Sequence, residues 1–286
     1  MYAICDIGSN SIKTHFFKEE SGTYVHADSV SRTARLISYI EDGVMNTAGI
    51  DLLCDVVREY KERADAGGYA FHAFATASLR RADNADEIIS RVMECTGVKI
   101  DLVSGEKEAE LCTAGVIHEI GDGVNGILMD MGGGSTEIIG ISASRAVSAY
   151  SMPFGSLSLY RENVTGDLPD ADERGRIAAY VFDCYREGGA PTADTLYIGG
   201  GTGKAILKFM GKKGLCTVEN AELLNLKESI IAGEISFESI RELFPDRAHA
   251  ITPGLIAICE ILRLSGAQRA TFVTAGAREG YLLSIL

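Results

Sequence analysis

Positive charge is scarce in this chain of 286 residues: 27 Lys and Arg stand against 40 Asp and Glu, a net charge of −13. That balance excludes a general nucleic-acid binder, which needs a basic face, so no DNA partner is expected. Clustered cysteine is missing too. The seven Cys (5, 54, 95, 112, 184, 216 and 259) are scattered singly with no Cys-x-x-Cys pair, which points to buried thiols in a reducing compartment rather than disulfides or zinc. The five His are equally dispersed, so no His/Cys metal cluster is expected. Long apolar runs are missing: about 18 consecutive apolar residues would be needed for a membrane span, and Asp130 and Arg263 break the longest stretches. Neither a basic n-region nor a cleavage site precedes Asp6. The expectation is a cytoplasmic protein with no membrane partner.

What is present is an ordinary globular composition, 46% hydrophobic and 23% charged. At roughly 100–200 residues per domain the length suggests two domains. Apolar runs of period 2 alternate with helical ones, the α/β pattern. Strands are expected at Ala3–Cys5, Ser11–Lys18, Val25–Val30, Ala70–Ala75, Val98–Val103, Gly126–Met129, Thr136–Ser142, Asp194–Ile198 and Ala270–Val273. Ile50, Leu53, Cys54, Val57, Lys61 and Ala64 trace one helix face. Ile88, Ile89, Val92 and Met93 trace another, which Asn84 can cap and Gly97 can end. Further helices are expected at Lys204–Met210, from Pro253 to Gly266, and at Gly276–Leu286.

One internal echo organises the chain. Asp6-Ile7-Gly8-Ser9-Asn10-Ser11 and Asp130-Met131-Gly132-Gly133-Gly134-Ser135 both read Asp-apolar-Gly-x-x-Ser, each between two strands. Two domains of like topology, each opening with strand, glycine turn and strand, account for this. They are expected at 1–120 and 121–286, with the option that helix 276–286 packs back onto the first. Glycine permits positive φ and unobstructed amides, so each turn is an anion nest in prospect. Neither ends in the Lys-Ser/Thr of a Walker loop, and each leads into a strand, so a nucleotide P-loop is excluded. Asp6, Asp130 and Glu137 beside a phosphate make sense only with a cation between. Mg²⁺ suits one or two carboxylates completed by water and phosphate oxygens, and Glu137 shares a strand face with Ser135. In the segment Ser104–Leu111, Ser104 is a helix cap, and Glu108 lies on the face of Leu111 and Cys112. An inward carboxylate there is either a structural partner or a general base.

These segments, with Ala75-Thr76-Ala77-Ser78-Leu79-Arg80, Pro153-Phe154-Gly155, Gly199–Gly203 and Gly276-Ala277-Arg278-Glu279-Gly280, resemble in order those of the exopolyphosphatase and guanosine pentaphosphate phosphohydrolase (Ppx/GppA) family, in its short two-domain form. The resemblance implies the duplicated fold of actin, sugar kinases and heat-shock chaperones, with the site in a cleft between domains. It makes Glu108 the catalytic group that activates water and Asp130 and Glu137 the metal ligands. It makes Asp6, Gly8, Ser9, Asn10, Arg80, Gly132, Gly133, Gly134, Ser135, Gly200, Gly201 and Thr202 the substrate-binding set. The activity it implies is Mg²⁺-dependent release of orthophosphate from inorganic polyphosphate. Hydrolysis of guanosine pentaphosphate and non-catalytic binding of polyphosphate or nucleotide stay as alternatives, and a homodimer stays open. Arg81, Lys107, Glu110 and Lys204 depart from the common family pattern, but none lies in the core set.

Overall fold

The computed structural model describes residues 1–286 as two compact units: Met1–Glu108 with Tyr281–Leu286, and Ala109–Gly280. The division falls inside a helix, not in the glycine-rich stretch 121–126 where the sequence suggested it. The reason is packing: from Ala109 onward that helix buries Ala109, Cys112 and Val116 among Val124, Leu128, Ile139 and Tyr197 of the second unit.

In the first unit, strands β1 (Tyr2–Ile7), β2 (Ser11–Glu20) and β3 (Thr23–Thr33) form an antiparallel meander. A small hairpin, β4 (Ile40–Glu41) and β5 (Val44–Met45), precedes helix α1 (Thr47–Ala66). The chain continues through β6 (Ala70–Ala75), α2 (Ala77–Arg80), α3 (Ala85–Thr96), β7 (Ile100–Leu102) and α4 (Gly105–Ile120). The sheet order is β3-β2-β1-β6-β7, with β6 and β7 parallel to β1. Its core sets Ile7 and Ile12 of the hairpin against Leu53, Val57, Ile88 and Val92 of α1 and α3. Gly97 ends α3 in the left-handed conformation (φ 69°), as expected, because a residue without Cβ adopts it freely. Asn84 precedes α3 without capping it; its amide instead brackets Met45, accepting from Met45 N (3.0 Å) and donating to Met45 O (3.1 Å).

The second unit repeats the plan with β8 (Gly126–Met131), β9 (Thr136–Ser142), β10 (Arg145–Met152), α5 (Ser156–Asn163), α6 (Ala171–Glu187), β11 (Thr195–Gly199) and α7 (Gly200–Phe209). There follow β12 (Cys216–Val218), α8 (Asn220–Ile231), α9 (Phe237–Leu243), α10 (Ala248–Ser265), β13 (Arg269–Phe272) and α11 (Ala277–Ile285), whose end belongs to the first unit. The order β10-β9-β8-β11-β13-β12 reproduces the first sheet, with β12 added at the edge. Two sheets with this shared strand order constitute the duplicated actin-like fold. Pro253 does not start α10 but lies inside it. The helix is long and apolar enough to cross a membrane by composition alone, yet most of it is buried, with Ile251, Leu255, Ile258 and Leu262 in the core of this unit.

Candidate functional site

The two glycine turns close in the same way. Gly8 N donates to Ser11 O (3.1 Å), and Gly132 N donates to Ser135 O (3.0 Å). Their carbonyls are taken by the segment that follows the third strand of each meander. In the first unit, Ala34 N and Arg35 N donate to Asn10 O and Ile37 N to Ser9 O; in the second, Ser156 N donates to Gly132 O and Leu157 N and Ser158 N to Gly133 O. With the acceptors turned to that side, amide donors are what each turn can offer an anion. Positive φ is not how these glycines serve the turns, since Gly8, Gly132, Gly133 and Gly134 all avoid it. What the second turn needs is close approach: a Cβ on Gly155 would lie 2.4 Å from Gly133 C and 2.5 Å from Gly134 N. Beside Gly134, in contrast, a Cβ would meet nothing.

Strand register decides the charges. Asp130 pairs with Glu137 across β8 and β9, and Asp6 pairs with Lys13 at the corresponding level of β1 and β2. Partners directly opposite in an antiparallel pair put their side chains on the same face with Cβ atoms about 5 Å apart. The first turn therefore carries its own counter-charge beside its aspartate, whereas the second sets two carboxylates together. Two hard oxygen donors at a phosphate-type loop fit a divalent cation of the Mg²⁺ class, which takes one or two carboxylates and completes its shell with water and phosphate. Ser151 Oγ donates to Glu137 Oε1 (3.0 Å), and Cys112 Sγ lies 3.8 Å from Asp130 Oδ2.

The turn after β11 closes against the same aspartate. Gly200 is left-handed (φ 77°), and a Cβ on it would sit 2.4 Å from Met131 O and 2.5 Å from Asp130 Oδ1, so only glycine fits. Gly201 O accepts from the half-buried guanidinium of Arg247 (2.6 Å). Thr202, expected beside the substrate, is 2% exposed. Its hydroxyl contacts Ser156 Oγ (2.8 Å) and Gly132 O (3.3 Å), so it supports the loop from behind. One turn along α7, Lys204 has its pKa lowered by burial and by nearby Arg278, against the opposing pull of Glu279, Asp130 and Glu119.

Within the first unit, Ser104 caps α4 as expected, its Oγ accepting from Lys107 N (3.1 Å). Glu108 is largely buried, and Arg80 Nη1 donates to its Oε2 at 2.7 Å, the two side chains being 12% and 23% exposed. The same nitrogen donates to Val103 O (2.9 Å). Arg80, expected as a phosphate contact, is thus the residue that holds the candidate base, because α2 ends beside the strand end from which α4 starts. Sequence reasoning missed Lys13, Glu119, Arg247 and the partner role of Arg80. Only Lys13 left a signal: extending the Asp-x-Gly-x-x-Ser echo by two positions aligns it with Glu137.

Comparison with known proteins identifies the family. The model of the Ppx/GppA phosphatase family matches residues 23–286. The Ppx/GppA phosphatase of Aquifex aeolicus, in its type II variant, is similar at 24% identity and TM-score 0.82, with 99% of this chain and 98% of that one covered. An exopolyphosphatase from Cytophaga hutchinsonii is similar at 17% identity and TM-score 0.85, with coverage of 99% and 97%. At these identities the solved structures establish the fold.

Proposed function

The chain belongs to the Ppx/GppA phosphatase family and is a phosphoanhydride hydrolase, and from that premise we propose that it releases orthophosphate from the end of inorganic polyphosphate in a Mg²⁺-dependent reaction in the cytoplasm. The observation that carries this reading is the carboxylate pair Asp130 and Glu137 at a glycine loop whose Gly132 and Gly133 carbonyls are already occupied. The exopolyphosphatase name of the Cytophaga hutchinsonii protein supports the choice of substrate.

Asp130 and Glu137 would hold the cation, which when bound neutralises phosphate charge. The amides of Gly133, Gly134 and Ser135 bind non-bridging phosphate oxygens, and those of Ser9 and Asn10 are a second set of donors of the same kind in the first unit. Lys13 keeps Asp6 compatible with an anion. Glu108 accepts a proton from the attacking water, and Arg80 fixes the orientation of its carboxylate. Hydrolysis of a terminal phosphoanhydride requires little more than positioning and charge stabilisation.

The test is end-product analysis by phosphorus NMR with polyphosphate of defined length and with guanosine pentaphosphate, comparing the native chain with Glu108→Gln. Orthophosphate from polyphosphate, formed about 10²–10⁴-fold more slowly by the variant, is the expected result. Faster turnover of guanosine pentaphosphate would move the assignment to the alarmone. Equal behaviour of both proteins would remove Glu108 from the mechanism.

A further inference from the structure

Glu119 lies in the last turn of α4, where a solvated glutamate would be unremarkable, yet its carboxylate is fully engaged. Oε2 accepts from Thr274 N (2.8 Å) and Ala275 N (2.9 Å), and Oε1 accepts from Thr274 Oγ1. Three donors on one carboxylate tie the turn after β13 to α4. Hydrogen bonds to a charged group are roughly twice as strong as those between neutral groups, so this turn is anchored, not merely adjacent. The anchoring leaves no room for slack. A Cβ on Gly115, one turn before Glu119, would lie 2.2 Å from Gly276 O, and a Cβ on Gly280 would lie 1.8 Å from Leu111 O. Gly276 N is in turn held by Glu279 Oε2 (2.8 Å).

The anchored turn ends at Asp130. The Cβ position of Gly276 is 3.5 Å from Asp130 Oδ2, the oxygen that also meets Cys112 Sγ, while the Gly200 turn stands against Oδ1. The Asp130 carboxylate therefore sits between two glycine turns, one of which is fixed by Glu119. The part of α4 from Ala109 onward and this turn both lie in the second unit, so the whole chain of contacts is internal to it.

We propose that Glu119 is a positioning residue for the divalent-cation site: by tying the 274–276 turn to α4, it holds the wall that gives the Asp130 carboxylate one orientation toward a cation. The proposal rests on the assignment of Asp130 as a metal ligand. Glu119 itself touches neither cation nor phosphate, since its oxygens are occupied by the turn.

The experiment measures Mn²⁺ binding by electron paramagnetic resonance in the absence of substrate, on the native chain and on Glu119→Gln, Glu119→Ala, Asp130→Asn and Ile240→Ala. Residues that orient ligands typically contribute 10–100-fold to metal affinity, so Glu119→Ala should weaken binding about tenfold, with Glu119→Gln between it and the native chain. Amide exchange at Thr274 and Ala275 should quicken in the same order. The Mg²⁺ activation curve should move to higher concentration, while kcat at saturating Mg²⁺ stays near native. Ile240 is a fully buried core residue of α9, so Ile240→Ala opens a cavity elsewhere in the same unit and should lower stability without changing Mn²⁺ affinity. Native Mn²⁺ affinity in folded Glu119→Gln and Glu119→Ala would overturn the proposal while leaving Asp130 as ligand. Native Mn²⁺ affinity in Asp130→Asn, or no binding by the native chain, would overturn the cation site itself and the proposal with it.

Discussion

Asp130 faces Glu137 across β8 and β9, at the level where Asp6 faces Lys13 across β1 and β2. The duplicated turn thus carries a built-in cation in one unit and a pair of like charges in the other. Like charges directly opposite in a sheet are destabilising, whereas opposite charges contribute about 0.2–1 kcal/mol. Such an arrangement survives where it serves ligand binding.

Removing the repulsion should therefore stabilise the metal-free protein and abolish its function. Glu137→Lys restores the Asp–Lys pairing of the first unit, and thermal unfolding in chelator should show a gain of about 0.2–1 kcal/mol. Phosphate release should fall to background at any Mg²⁺ concentration. A loss of stability in chelator would show that the two carboxylates are not in conflict.

Glu108→Gln keeps the shape of the side chain but cannot accept a proton as a carboxylate does. General-base catalysis contributes about 10²–10⁴-fold, so kcat should drop by that order with KM little changed. Arg80→Gln should also lower kcat, by a smaller factor, because the base survives but is less well oriented. Steady-state kinetics on both variants separates these effects; a rise in KM alone for Arg80→Gln would make Arg80 a direct phosphate contact.

Gly155 and Gly134, at the second glycine turn, should respond oppositely to alanine. At Gly155 a methyl group meets the backbone of Gly133 and Gly134, and overpacking of this kind costs about 1–3 kcal/mol. Gly155→Ala should lower Tm and activity together. Gly134→Ala meets no protein atom, so Tm should stay near native while KM for polyphosphate rises, because the methyl group competes with the substrate for that space. Unchanged KM would mean that the substrate does not approach Gly134.

Acid sensitivity should arise partly at the start of α6. Glu173 is 3% exposed and accepts from Asp170 N (2.9 Å), Thr165 N (3.0 Å) and Thr165 Oγ1 (2.9 Å). The Asp170 and Thr165 amides hold its carboxyl below the usual carboxylate range, although burial opposes them. A carboxyl whose pKa is depressed on folding contributes stability that is present above the unfolded value, about 4.3, and is lost as pH falls through the folded value. Urea unfolding from pH 7 downward should show a steep loss below about pH 4.3 in the native chain, and a shallower one in Glu173→Gln, which starts from lower stability.

Much of the candidate site was legible before the fold was known. The Asp-x-Gly-x-x-Ser turns close through hydrogen bonds spanning three residues, Gly8 to Ser11 and Gly132 to Ser135. Flanking apolar runs of period 2 then require a hairpin. The helical period put Glu108 on the buried face of α4, where it lies. Ser104 announced the start of that helix and Gly97 the end of α3. Legibility failed where a partner came from far along the chain. Asn84 turns its side-chain oxygen to Met45 N and not to the amides that open α3, and Pro253 sits inside α10, not at its start.

The sequence by itself determined the α/β alternation, the duplicated strand-turn-strand openings and the carboxylates and glycines they carry, because those depend on backbone preferences and periodicity over a few residues. Tertiary structure alone decided that Arg80 holds Glu108, that Thr202 and Gly155 stand behind the Gly132–Ser135 turn, and that Glu119 anchors the turn beside Asp130. Each of those relationships joins residues that share no local pattern. They arise only when sheet register and helix packing set the distances at which a charge, a hydroxyl or a missing Cβ takes effect.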